Sequence, residues 1–288
     1  PFPMQGLALA FDNRHQDTLF TYDTITAAAV PALHRGFVLA PWGRGNGFYR
    51  DAAEADVWQS LMQVEQRFRV DADRRYVTGF SMGCHGAWRL ATARPDVWAG
   101  VGLAAGFGPW SDVQNVSRFD NGRHLPVTLW CGELDRMVDA CRSFAVQRAV
   151  VPAATRLTIA PNLPHTFPYP ALNDEVAWLL QHERRPVPSA FAYSTREPRH
   201  PGIYGVQAKV DWLSGDVPGE QVRIACRRAG STIHLASSGT DGLLIDCERL
   251  GVDGEVQIFW NGESVYIGAP GQIPLGEAFT PEPWYVEP

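Results

Sequence analysis

The chain has 288 residues, of which 45% are hydrophobic and 19% charged, a balance typical of a globular protein with a substantial core. Its formal net charge of −6 argues against a nucleic-acid partner, because phosphate binding requires a basic surface. No apolar run approaches the ~20 residues that span a bilayer, so we expect no transmembrane segment. The five cysteines include no CxxC pair, which argues against a zinc or dithiol redox site.

The first two-thirds of the chain alternate short apolar runs with helix-like segments. Strands are predicted at residues 6–11, 36–41, 75–80, 98–104, 126–132 and 156–160. Helices are predicted at residues 22–34, 51–68, 82–94, 138–150 and 172–183, with Asp51 as the cap of the second. This alternation predicts an α/β fold with a mostly parallel sheet and helices on both faces.

The pattern changes after residue 185. Four prolines between residues 186 and 201 form a stiff, extended join. Beyond them, short runs of alternating polarity lie between glycine-rich turns, and the Asn-Gly pair at residues 261–262 indicates a hairpin. We therefore expect one domain at residues 1–185 and a small all-β, sandwich-like module at residues 187–288.

The strongest chemical signal is the G-x-S-x-G motif of residues 79–83. It follows a predicted strand and opens a predicted helix, which is the setting of a nucleophile elbow. The glycines are needed because side chains at these positions would clash with the turn that strains the nucleophile. Ser81 is thus the candidate nucleophile, and the alternative is an ordinary glycine-flanked serine at a helix start.

A serine hydroxyl needs a base, and the base needs an orienting acid. Asp135 follows a predicted strand and is the candidate acid, with helix capping as its alternative role and Asp139 and Glu133 as substitutes. His165 lies in a loop after the last predicted strand, in the Ser, Asp, His order that this elbow implies. His85 is close to Ser81 in sequence but is expected to pack beneath the turn.

An oxyanion requires hydrogen-bond donors, and backbone N–H groups usually provide them. We expect one from Met82, the residue after the nucleophile, and the second from the loop after the first strand, near Asp12. Trp42, Trp110 and Phe167 are candidate pocket residues that could stack on a substrate ring, although packing explains them equally well.

These segments resemble a known family. The chain is similar to α/β-hydrolase serine esterases of the polyhydroxybutyrate-depolymerase-like and feruloyl-esterase-like kinds, and to bacterial phospholipase/carboxylesterase proteins. The resemblance extends over about residues 3–183 and rests on segments that include Arg44–Gly47, Ala53–Val57, Val70–Asp73, Arg75–Gly83, Gly86–Trp88 and Arg94–Asp96.

The resemblance implies a triad of Ser81, Asp135 and His165, no cofactor, no metal and, as a mild preference, an exported protein. One departure is Phe11-Asp12-Asn13, where the family usually has His-Gly. If the Asp12 carboxylate points into the site, it opposes the oxyanion charge.

We therefore expect a hydrolase that cleaves small-molecule or polymer-linked carboxylic esters through an acyl-enzyme. Two alternatives stay open: a prolyl-oligopeptidase-like peptidase, and a weakly catalytic protein that binds a carbohydrate or polymer on a hydrolase scaffold. The sequence indicates neither the oligomeric state nor the state of the cysteines. Cys226 with Cys247 is one possible disulfide, Cys131 with Cys141 a weaker one, and buried free thiols are the alternative.

Overall fold

The computed structural model describes residues 7–11 (backbone only), 37–41, 44, 48–106, 118–184, 186–210 and 221–279. The predicted helix at residues 22–34 lies outside these residues, as do Asp12, Trp42 and Trp110. The described residues fall into two compact units. The first holds the residues up to 106 together with 122–184, and the second holds 118–121 and 186–279.

The first unit is built on a six-stranded sheet in the order β2-β1-β3-β4-β5-β6. Its strands are β1 (Leu7–Phe11), β2 (Phe37–Leu39), β3 (Arg75–Phe80), β4 (Gly100–Ala104), β5 (Val127–Gly132) and β6 (Thr155–Ala160). Every neighbouring pair is parallel. The central strands are buried along almost their whole length, as expected for a sheet covered on both faces.

Four helices of this unit are described. They are α1 (Ala52–Arg67), α2 (Met82–Ala93), α3 (Val138–Arg148) and α4 (Tyr169–Leu179). Successive residues of β3 show that helices cover both faces of the sheet, because a Cβ on Gly79 would meet the backbone of α2 whereas Thr78 contacts Glu175 of α4. The predicted parallel α/β layering is confirmed.

Two helix starts differ from prediction. Asp51 takes the N-cap position of α1, but its side chain makes no capping hydrogen bond, because its φ of 51° departs from the extended conformation that capping requires. Helix α4 begins at Tyr169 rather than at residue 172, with Pro170 in its first turn. Proline is tolerated there because the first N–H groups of a helix have no intrahelical partner.

The second unit contains two sheets. One has the order β14-β13-β11-β10-β7 and the other β15-β12-β9-β8. The strands are β7 (Ala190–Thr195), β8 (Gly202–Ile203), β9 (Val206–Ala208), β10 (Val222–Ala229), β11 (Thr232–Ser238), β12 (Gly242–Asp246), β13 (Val256–Trp260), β14 (Glu263–Gly268) and β15 (Gln272–Gly276). A four-residue helix, α5 (Cys247–Leu250), interrupts them.

Alternating side chains from both sheets enclose one buried core. On β10, Val222, Ile224 and Cys226 point inward while the residues between them are exposed. The predicted hairpin joins β13 to β14, with positive φ at Asn261 and Gly262. The strands are paired antiparallel except for β11 and β13, which are parallel. No helix in the described part of the chain is long and apolar enough to cross a membrane.

A carboxyl group lies fully buried where α4 packs on the sheet. Glu175 is 1% exposed, and its Oε1 accepts a hydrogen bond from the Thr78 hydroxyl. Gly102 leaves space for this carboxyl group, because a Cβ at residue 102 would lie 2.3 Å from the same oxygen. Burial raises the pKa of Glu175 from 4.5 to about 8, so this side chain is mostly neutral at pH 7.

This raised pKa predicts a dependence of stability on pH. Between about pH 4.5 and pH 8, folded Glu175 holds a proton that the unfolded chain releases, so the free energy of unfolding falls as pH rises through this window. Glu175→Gln removes that loss. We therefore expect the melting temperature of the variant minus that of wild type to increase by several degrees when the pH is raised from 5 to 9. Differential scanning calorimetry at both pH values measures the change.

The matched control is Asp174→Asn. It replaces a neighbouring carboxylate on the same helix, but one whose side chain is 65% exposed and paired with Arg156. Its melting temperature should follow that of wild type at both pH values. Equal pH responses of the two variants would show that Glu175 is charged in the folded protein.

Candidate active site

Ser81 lies on a tight turn between β3 and α2. Its backbone has φ 56° and ψ −114°, a conformation that L-amino acids rarely adopt. The turn can be this tight because Gly79 has no side chain. A Cβ at that position would lie 2.1 Å from the Gly83 carbonyl oxygen. The Ser81 N–H donates to the Ala104 carbonyl of β4 at 2.8 Å, which ties the turn to the sheet. The serine therefore projects from the carboxyl end of a central strand.

Three of the sequence-predicted site residues form one hydrogen-bonded chain. Ser81 Oγ is 2.9 Å from Nε2 of His165, and Nδ1 of His165 is 2.7 Å from Oδ2 of Asp135. The Asp135 side chain is fully buried, whereas 35% of the His165 side chain is exposed. This arrangement can move a proton from the hydroxyl to the imidazole while the carboxylate fixes the tautomer and stabilises the imidazolium.

Asp135 also organises the turn that follows β5. Its Oδ1 accepts the Met137 N–H at 3.0 Å, so the side chain shapes the turn while Oδ2 faces the imidazole. The two substitute acids have other contacts. Asp139 is exposed and pairs with Arg142, and Glu133 accepts the Asn162 N–H at 3.0 Å.

The loop that carries His165 packs closely against the end of β5. A Cβ on Gly132 would lie 2.2 Å from the Leu163 carbonyl oxygen and 2.4 Å from that of Pro164. The N–H of Leu134 donates to the same Leu163 oxygen at 2.9 Å. Gly132 thus allows the backbone of one loop to lie against the other, which places the imidazole above the aspartate.

One family model and several solved structures are similar to this chain. The model of the Esterase family, described as "Putative esterase", matches residues 40–181. The fluorophosphonate-binding serine hydrolase FphF of Staphylococcus aureus is 13% identical, with a TM-score of 0.50 over 62% of this chain and 84% of that chain. At this identity the likeness shows the fold. Residues 40–181 are thus similar to the Esterase family, and the first unit resembles FphF in its fold.

Two further structures are similar at lower TM-scores. The S-formylglutathione hydrolase FrmB of Staphylococcus aureus is 16% identical over 62% of this chain and 82% of that chain, with a TM-score of 0.49. A thermostable esterase is 21% identical with a TM-score of 0.49, and the match covers 64% of this chain but only 57% of that esterase. No curated protein sequence matches the chain.

The other candidate residues of the first unit lie in different environments. Met82 is the first residue of α2, and such N–H groups have no intrahelical partner. His85 packs edge-to-face against Phe48 at 5.5 Å between ring centroids. Phe167 is 7% exposed and contacts Trp130 at 5.3 Å, which is the packing alternative considered above.

Sequence reasoning missed one residue that contacts His165 and one that is buried close to the Asp135 turn. The ring of Phe80 lies 4.8 Å from the His165 ring, and the motif itself contains this residue at the position before the serine. Cys131 is buried in the apolar cluster that also contains Met137, whose N–H bonds to Asp135. All five cysteines are buried and unpaired, so neither disulfide considered from the sequence is present.

We expect Gly132→Ala to disturb the candidate site by forcing the His165 loop away from β5. The clashing atoms are backbone carbonyls, which cannot move aside without shifting the imidazole from Ser81. The rate of covalent labelling by a fluorophosphonate should fall roughly tenfold or more, because reactivity depends steeply on this geometry. Gel-based labelling over time measures the rate.

Gly100→Ala provides the matched control on the neighbouring strand β4. Its new Cβ would meet the flexible end of Leu179 at 3.0 Å, which can move. Labelling near the wild-type rate is expected for Gly100→Ala. Equal labelling rates for the two glycine variants would contradict the role given to Gly132.

Proposed function

We propose that the protein hydrolyses carboxylic esters, with Ser81 as nucleophile, His165 as general base and acid, and Asp135 as the residue that orients His165. The observation that carries the proposal is the continuous hydrogen-bonded chain from Ser81 Oγ to Asp135 Oδ2. It begins at a strained strand-to-helix turn within a segment that matches the Esterase family. The hydroxyl, base and acid therefore have the mutual geometry that acyl transfer requires.

The reaction proceeds in two halves. As Ser81 Oγ attacks the ester carbonyl carbon, His165 Nε2 takes the hydroxyl proton and then gives it to the departing alcohol oxygen, which leaves an acyl-serine. A water molecule then attacks the acyl carbon while Nε2 takes its proton. Return of that proton to Ser81 releases the carboxylic acid. Asp135 stabilises the imidazolium in both halves.

The oxyanion of each tetrahedral intermediate needs two donors. We assign one to the Met82 N–H, at the N-terminus of α2, where the helix dipole also favours negative charge. We assign the second to the backbone N–H of Asp12. The register supports this assignment, because β1 ends with Phe11 paired to Gly79, two residues before Ser81.

Ser81→Ala tests the nucleophile. Wild type should hydrolyse p-nitrophenyl acetate, butyrate or octanoate, or methyl ferulate, and the variant should lose about a thousandfold or more in kcat because no hydroxyl can form the acyl-enzyme. His165→Gln should lose a similar factor. The order of rates across the four esters measures the size and aromatic character of the acyl pocket.

Two matched variants control for general damage. Ser60→Ala removes a hydroxyl on α1 that bonds to a main-chain oxygen of the same helix, and His85→Gln removes an imidazole near the same turn. Both should turn over esters at rates near wild type. Turnover that survives in Ser81→Ala would refute the proposed nucleophile. A folded wild type that hydrolyses none of the esters and resists a fluorophosphonate would favour a binding protein instead.

A further inference from the structure

An aromatic ring lies against the imidazole of the proposed general base. Phe80 is the last residue of β3 and directly precedes Ser81. Its ring centroid is 4.8 Å from that of His165, and the two ring planes are tilted by 37°. This geometry is closer to stacking than to an edge-on contact, so the Phe80 ring covers part of one imidazole face. The ring supplies no reacting atom to the proposed acyl transfer.

Packing fixes the Phe80 ring in turn. Phe80 is partly buried and packs against two apolar clusters of buried residues. The first consists of Ala104, Trp130, Phe167, Leu172 and Val176, and the second of Ala105, Cys131, Met137 and Cys141. Within the first cluster, the Phe80 centroid is 6.2 Å from that of Phe167, with the ring planes only 9° apart. Because the side chains of such clusters are close-packed, the ring has little freedom to move away from the imidazole.

The hydrogen bonds of His165 restrain one kind of motion only weakly. They join its two ring nitrogens to Ser81 Oγ and Asp135 Oδ2, and ring nitrogens donate and accept in the plane of the ring. The last side-chain torsion of a histidine has broad energy minima, so the imidazole can tilt out of that plane at little cost. A ring packed on one face of the imidazole opposes displacement in the direction that the hydrogen bonds resist least.

We propose that Phe80 is a positioning residue whose ring holds the His165 imidazole in line with Ser81 Oγ. The inference rests on the proposed Ser-His-Asp function and identifies a residue that supports it. Because Phe80 and Ser81 are consecutive, one short segment both carries the nucleophile and supports the base. The contact of Phe80 with Phe167, two residues after His165, links the same segment to the loop that carries the base.

The test compares a variant that keeps the ring with variants that remove it. Phe80→Leu should lower kcat for p-nitrophenyl butyrate about tenfold with KM nearly unchanged, because a displaced base affects the transition state more than substrate binding. Phe80→Tyr keeps the ring and should retain most of the wild-type kcat. Phe80→Met, a flexible apolar side chain without a ring, should resemble the leucine variant and replaces it if leucine prevents folding.

Leu172→Ala is the matched control. It removes buried apolar volume from the first cluster without removing the ring that His165 contacts. Its kcat should stay within about twofold of wild type, even though its melting temperature should fall at least as far as that of Phe80→Leu. Equal losses of kcat in Phe80→Leu and Leu172→Ala, or the same loss in Phe80→Tyr, would overturn the inference and leave only a packing role.

A readout independent of turnover separates this inference from the proposed function. The proton between His165 Nδ1 and Asp135 should give a narrow low-field ¹H NMR signal in wild type, Phe80→Tyr and Leu172→Ala. In Phe80→Leu and Phe80→Met it should broaden, because a mobile imidazole lets this proton exchange with water. Line width is the diagnostic quantity, since loss of the ring current alone would shift the signal. An inactive wild type with these differences would refute the ester function and retain the positioning role, whereas equal line widths in all variants would refute the positioning role alone.

Discussion

The position of the Ser81 hydroxyl depends on a backbone conformation that a side-chain-bearing residue adopts only under constraint. Conformations of this kind cost about 1–3 kcal/mol and persist only where surrounding contacts fix them. Here the Ser81 N–H bonds to Ala104 of the next strand, and its carbonyl accepts the Cys84 N–H at the start of α2. These contacts with the parallel sheet and with the following helix thus stabilise the strained turn. The other residues of the proposed site are arranged around the Ser81 Oγ that this turn positions.

The strained backbone turn does not by itself identify a catalytic residue. Asp51, directly before α1, has φ 51° and ψ −116°, almost the same backbone conformation as Ser81. Phe48 and Tyr49, just upstream, also have positive φ. The fold thus enters two helices through similar turns, and what sets Ser81 apart is the imidazole 2.9 Å from its oxygen. The proposed function therefore depends on the side chains that converge on one turn, in keeping with the general independence of fold and chemistry.

Sequence patterns identified the elements whose signals are local. The buried strands β3 and β5 read as apolar runs, and the motif around Ser81 carries its glycines in the sequence itself. The parallel pairing of β11 with β13 could not be predicted from the sequence. The alternation of polar and apolar residues shows which face of a strand is buried but does not identify the partner strand. Cys131 was missed for a similar reason. A single cysteine in a buried strand has the pattern of a core residue, and its place in the cluster with Met137 arises only from the turn after β5.

Two buried carboxyl groups in the first unit differ in the hydrogen-bond donors that surround them. Glu175 has the Thr78 hydroxyl on one oxygen, while its Oε2 has no hydrogen-bond partner among the described residues, and burial raises its pKa to about 8. Asp135 is equally buried but has a main-chain N–H on one oxygen and an imidazole on the other. In the proposed reaction Asp135, held by these two groups, orients His165, whereas Glu175 packs between α4 and the sheet.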